Sequence, residues 1–426
     1  MNPSSLTDTE SRVLQLVDHQ QAMADLQALL AIPSITGSPA ESEAQHWLAG
    51  RLEPLGLETD LWSMDVAALE ADSGFPGTEA PRDEAWGLVA TTPATGDGPT
   101  LILQGHIDVV PPGDLDNWNG DPFTPRIVDD VIFGRGACDM KAGLIANLAA
   151  MQALHASGVA LRGRVAFQSV VSEEDGGLGA FGTLARGHRG DACVITEPTS
   201  GDAITANGGA LTFRISVTGQ ATHGSTRYAG VSALDAFLPV YRALTDLEAD
   251  RNASVDPLMD GWQIAYPISV GIVHAGDWAS TVPDLLIAEG RYGVALGEPV
   301  DQARAALESR IAHVCAADPW LSEHPVQIEW SGGQFASGQM PSGDPLLPLT
   351  QTAWNDITGR ESRDRGAPYG SDLRHYTGVG IPTLQFGPGA AHHAHSPIEQ
   401  VSIDEFQRVI ESLVLIILRA TDSSRM

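Results

Sequence analysis

The chain is short of cysteine, of positive charge and of long apolar runs, and each shortage excludes something. Its 426 residues hold three cysteines, Cys138, Cys193 and Cys315, none in a CxxC pair, too few for a dense disulfide framework. Only 24 lysines and arginines stand against 54 acidic side chains, a formal net charge of −30. That charge repels phosphate backbones and anionic lipid surfaces, so the reading is no nucleic acid and no membrane as partner. No stretch approaches the roughly 18 apolar residues of a membrane span. The opening MNPSSLTDTESRVLQLVDHQ has no basic segment followed by an apolar one, and the expected location is cytoplasmic.

What is there is a globular composition, 43% hydrophobic and 18% charged, at a length that suits two domains. MADLQALLAI and ESEAQHWLAGRLEPLG carry apolar residues at helical spacing. Residues 65–99, rich in Gly, Pro, Ala and acids, read as an irregular surface segment. The strands TLILQG, RVAFQSVV and ACVIT then alternate with the helix KAGLIANLAAMQALHASG and a short one near AFGTLARG. Such alternation predicts an α/β fold with a mostly parallel sheet covered by helices. From about 209 to 328 the texture changes to β-branched strands, ALTFRISVTG, ISVGIVHAG and LLIAEGRYGVAL, with two long helices. The expectation is an α+β module of residues 209–328 inserted into a domain made of 1–208 and 329–426.

Carboxylates and imidazoles collect at the strand ends. In LILQGHIDVV, residues 101–110, His106 and Asp108 follow an apolar run two residues apart, so they share one face of the strand. Glu173 and Glu174 follow RVAFQSVV, Glu197 follows ACVIT, His395 follows PTLQFGPG, and Asp139 precedes a helix. Ligands of open α/β sheets bind at the carboxyl ends of strands, where these groups would converge. So many carboxylates sharing a crevice need compensating positive charge, and Lys141 alone is too little. A divalent metal with mixed N/O ligation supplies it, zinc first, with cobalt or manganese as substitutes. Asp108 would hydrogen-bond the free nitrogen of His106 and fix its tautomer. Neighbouring side chains diverge in an extended segment, so one member of the Glu173–Glu174 pair would ligate while the other acts as general base.

GHIDVV, GRGACDMKAG, VSEEDGG, ITEPTS and FGPGAAHHAHSPIE follow in order, and the chain thereby resembles the M20/aminoacylase family of dizinc metallohydrolases over nearly its whole length, especially its acetylornithine deacetylase and succinyl-diaminopimelate desuccinylase branch. The resemblance implies a zinc-peptidase-like sheet with helices on both faces and an inserted dimerisation lid. It implies two metal ions bridged by Asp139, with His106 and Glu197 at one, Glu174 and His395 at the other, and Glu173 as base. It also implies a cis bond at Asp139–Met140. In the lid, VTGQATHGS makes His223 an oxyanion stabiliser given to the partner's site in a homodimer, and Arg291 in EGRYGV a ligand for a substrate carboxylate. Two positions depart from the family pattern: Ser172 stands where an acid usually precedes the Glu pair, and Ser280 replaces an asparagine of the lid.

The activity so implied is metal-dependent hydrolysis of an N-acyl amino acid or similar small amide, with attack by a metal-bridging hydroxide. Alternatives on the same chemistry are a dipeptidase or carboxypeptidase, or a deformylase of a non-amino-acid amide. A different class is raised by GLGAFG, residues 177–182, a GxGxxG after a strand. Glu173, Glu174 and Asp175 stand between that strand and the glycines, where they would repel a pyrophosphate. A metal-binding scaffold without catalysis would have no use for Glu173.

Overall fold

In a computed structural model, residues 6–422 are described, and the chain divides into two compact units. The first runs from the N-terminal residues to Thr205, then Gln339–Arg365, then from His375 onward. Its large sheet orders the strands Glu58–Ser63, Trp86–Thr91, Arg164–Val170, Thr100–His106, Ala192–Pro198, Thr383–Gly387, Ala203–Asn207 and Gly338–Gln339. The four from Arg164–Val170 to Thr383–Gly387 are parallel, and the pairs flanking them are antiparallel. Thr100–His106 is buried along nearly its whole length, which is why its apolar residues run together instead of alternating.

Two helices fix the middle of this sheet. Lys141–Ser157 ends on Gly158 in the left-handed conformation, the usual C-terminal stop. Ile403–Ala420 begins on Ser402, whose side chain accepts the N–H of Glu405. They pack on each other, and Lys141–Ser157 packs against the strands Thr100–His106 and Ala192–Pro198. The approach is close: a Cβ on Gly143 would lie 1.9 Å from the carbonyl oxygen of Thr196. Among the described residues, no helix is long and apolar enough to cross a membrane.

The segment 65–99 is more ordered than its composition suggests. Trp86–Thr91 is a largely buried strand of the main sheet. Its run of six residues is too short to stand out among the surrounding Gly, Pro and acids.

The second unit comprises Ala206–Gly338 and Gly366–Arg374, the latter a stretch that the expected 209–328 leaves out. Its four-stranded sheet is antiparallel, in the order Ile268–Ala275, Leu285–Val294, Gly209–Thr218, Gln327–Phe335. Leu211, Phe213, Ile215 and Val217 point to one buried side, covered by the helices Ala233–Arg251 and Val300–Ala317. The edge strand Ile268–Ala275 is exposed, with Ile272 and Val273 in solvent.

Gly143→Ala is expected to cost about 1–3 kcal/mol, as overpacking does, and to lower the thermal-unfolding midpoint. An unchanged midpoint would show that the helix can move off the Ala192–Pro198 strand.

Candidate metal centre

His106 closes its strand and is fully buried. Its Nδ1 lies 2.9 Å from the backbone oxygen of Asp108, so in the neutral ring that nitrogen carries the proton and Nε2 keeps the lone pair that a metal would take. Nε2 in turn lies 3.1 Å from Oδ1 of Asp139 and 3.7 Å from Oε1 of Glu197. The other oxygen of Asp139 is 3.4 Å from Nε2 of His395, which is 3.0 Å from Oε2 of Glu174. One carboxylate therefore sits between two imidazoles, each with a glutamate beside it. Ligand atoms of His106, Glu173 and Glu197 lie within 4.8 Å of one another, as do those of His106, Asp139 and Glu174.

The Asp139 turn is held from behind. The Asp139–Met140 peptide bond is cis, as the family resemblance implied. The backbone N–H groups of Cys138 and Asp139 both donate to Oε1 of Glu399, at 3.2 Å each, and the other oxygen of Glu399 pairs with buried Arg135. Glu399 closes the motif FGPGAAHHAHSPIE, but nothing local marked its hold on the Asp139 turn or Arg135 as its partner. Lys141 turns away, its ammonium donating to the carbonyls of Leu29 and Ile32, and burial pulls it down to about 7.

Asp108 does something other than expected. Its carboxylate is 3.6 Å from Nδ1 of His106, too far for a good hydrogen bond; the backbone carbonyl orients the ring instead. The carboxylate accepts the N–H of Glu173 and of Glu174, at 3.2 Å each, and the hydroxyl of Thr36 at 3.0 Å. The Glu pair is thus not extended. It lies in a tight turn that starts on Ser172 at φ +64° and is closed by the N–H of Gly177 on the carbonyl of Ser172 at 2.6 Å.

The electrostatics follow from packing imidazoles among carboxylates. Burial opposes charging His106, but Glu197, Asp139 and Asp108 outweigh it and raise the ring well above its usual value. Glu174 pushes His395 up to about 11. Burial would raise Asp139, yet its bonds to the two rings hold it far below the usual carboxylate range. The second oxygen of Glu174 is buried with no hydrogen-bond partner. A donor set of two imidazoles and several carboxylates, with a buried oxygen left over, fits divalent metal on either side of Asp139. His106, Asp139 and Glu197 would hold one ion; Asp139, Glu174 and His395 the other.

His223 and Arg291 belong to the second unit. The N–H of Ser225 donates to Nδ1 of His223 at 3.1 Å, which leaves the proton of the neutral ring on Nε2. Arg291 is half-buried, donates to the carbonyl of Pro368 at 3.0 Å, and has an Nε with no partner. GLGAFG lies largely within the short helix Leu178–Ala185. The rings of His392 and His393 meet at a tilt of 57°, and His393 lies 3.2 Å from Gln400.

The profile of peptidase family M20/M25/M40 matches residues 102–419. An N-formyl-4-amino-5-aminomethyl-2-methylpyrimidine deformylase from Halalkalibacterium halodurans is 29% identical over 93% of this chain and 94% of its own. A succinyl-diaminopimelate desuccinylase from Leptothrix cholodnii is 33% identical over 71% of this chain and 79% of its own. A dinuclear metal-binding M20 peptidase from Bacillus subtilis shares the fold, with a TM-score of 0.61 at 16% identity over 94% of this chain and 97% of its own.

Both imidazoles are raised in the metal-free centre, which favours a proton on each, and a metal would have to displace such protons. Zinc uptake is expected to release about two protons per chain. Calorimetric titration in two buffers of different ionisation enthalpy reads this directly; equal heats in both would contradict it.

Proposed function

The chain belongs to peptidase family M20/M25/M40, and on that premise we propose that it is a dizinc amidohydrolase that removes a small acyl group from an amine. The reading rests on the Asp139 carboxylate set between His106 and His395. Two zinc ions, when bound, lower the pKa of a water and polarise the amide carbonyl. Glu173, at the Glu197–His106 side of the centre, accepts the proton of the attacking water and returns it to the leaving nitrogen. Asp108 keeps the Glu173 backbone in place for both transfers.

The lid completes the site. His223 presents its Nε2 proton to solvent, the donor that an amide oxygen needs as it gains charge. The exposed edge strand Ile268–Ala275 and the exposed Leu234, Leu238 and Tyr241 of the helix Ala233–Arg251 supply a surface for a second copy, whose His223 would serve this chain's site. The three buried cysteines, none of them in a disulfide, suit a reducing cytoplasm. Arg291, to which no carboxylate among the described residues is bonded, fits a substrate carboxylate, so an N-acyl amino acid is the substrate class proposed first. A second reading, deformylation of an aminopyrimidine, is favoured by the similarity that spans most of the chain to an enzyme of that name.

Amine release from N-formyl, N-acetyl and N-succinyl amino acids and from an N-formyl aminopyrimidine decides between the readings. Glu173→Gln should lower kcat by about 10²–10⁴-fold while two metal ions remain bound; full turnover in that variant would sink the mechanism. His223→Ala should lose about 10²–10³-fold. Mixing the two inactive variants should restore turnover, because a hybrid dimer has one site with both residues intact. Mixtures as inactive as their parts would place the action of His223 within one chain, or nowhere.

A further inference from the structure

The turn that carries Glu173 and Glu174 is anchored by a side chain from the segment 65–99. The guanidinium of Arg82 is only 2% exposed and lies 3.2 Å from Glu41 and 3.3 Å from Asp175. Those two acids hold both ends of the turn. Glu41 accepts the N–H of Ser172 at 3.3 Å, and Asp175 accepts the Ser172 hydroxyl. Asp175 also accepts the N–H groups of Glu79 and Ala80, at 3.1 and 2.9 Å, next to Arg82 in the chain.

The contacts close into a ring. Glu41 accepts the N–H of Gly37 at 2.7 Å; its neighbour Thr36 donates to Asp108; Asp108 accepts the N–H groups of Glu173 and Glu174; and Asp175 returns to Arg82. Two buried carboxylates with no cation between them would repel each other and pull the turn open. A serine forced to positive φ needs such support as well. Asp175, anchored by Arg82, does that holding.

We propose that Arg82 is a positioning residue for the general base and for the Glu174 ligand, acting through Glu41 and Asp175 on the Ser172–Asp175 turn. This rests on the roles given above to Glu173 and Glu174. Arginine suits the place because its two terminal nitrogens meet the two carboxylates separately, Nη1 at Glu41 and Nη2 at Asp175; lysine keeps the charge on a single nitrogen without the fixed fork.

Cobalt(II) titration of the metal-free protein, followed by visible absorption and competition, tests this together with kcat and KM. The wild type should take up two ions. In Arg82→Met the weaker binding step should loosen by about 10–100-fold, with an altered cobalt spectrum, and kcat should fall at least tenfold while KM stays within about threefold. Arg82→Lys should recover part of both losses. A residue that only stabilises the fold would lower the unfolding midpoint and leave the fully loaded spectrum and kcat unchanged, and that result overturns the proposal. Should Arg82→Met not fold, Arg82→Lys decides: wild-type affinity, spectrum and kcat in that variant overturn it. Fewer than two cobalt ions on the wild type would overturn the two-metal reading itself, which the variants cannot do.

Discussion

Five carboxylates, Asp108, Asp139, Glu173, Glu174 and Glu197, converge on one crevice at the ends of parallel strands, and the repulsion among them is the constraint that the rest of the centre answers. Isolated, most of them would have to take up protons. The fold answers with imidazoles: His106 and His395 flank Asp139 so closely that its carboxyl is held ionised. In the metal-free chain protons on the rings do the neutralising. A metal held by these side chains would replace those protons with a larger positive charge.

Behind the ligands, the scaffold spends its hydrogen bonds on backbone. Glu399 grips the N–H groups of Cys138 and Asp139, and Asp108 grips those of Glu173 and Glu174. Each ligand-bearing turn is therefore fixed through its main chain, which leaves the side-chain oxygens to face the centre. Arg135 neutralises Glu399, and Arg82 neutralises Glu41 and Asp175, which hold Ser172 at the start of the Glu173–Glu174 turn. The chain has few basic residues, and two of its arginines are buried here.

What was legible in the sequence is what strand periodicity and local spacing control. The strands that lead to His106 and Glu197 and the helix after Asp139 stand where the sequence placed them, and the cis bond stands where the family resemblance implied it. The role of the Asp108 carboxylate was not legible, because the acceptor of a given N–H depends on a turn whose first residue, Ser172, is not a glycine that would have announced positive φ. Arg82 was hidden for a different reason: its partners lie 41 and 93 residues away along the chain, and its surroundings read as loop. The strand Trp86–Thr91 was lost with it, and the Gly366–Arg374 stretch of the second unit sits among residues that pattern with the first.

The central claim is that Asp139 bridges two metal ions. Crystals grown with zinc, with diffraction data collected on both sides of the zinc absorption edge, test it most directly. Two anomalous peaks per chain are predicted, one beside His106 and Glu197 and one beside Glu174 and His395, each within coordination distance of a different oxygen of Asp139. A single peak, or two peaks that leave Asp139 uncoordinated, would contradict the account.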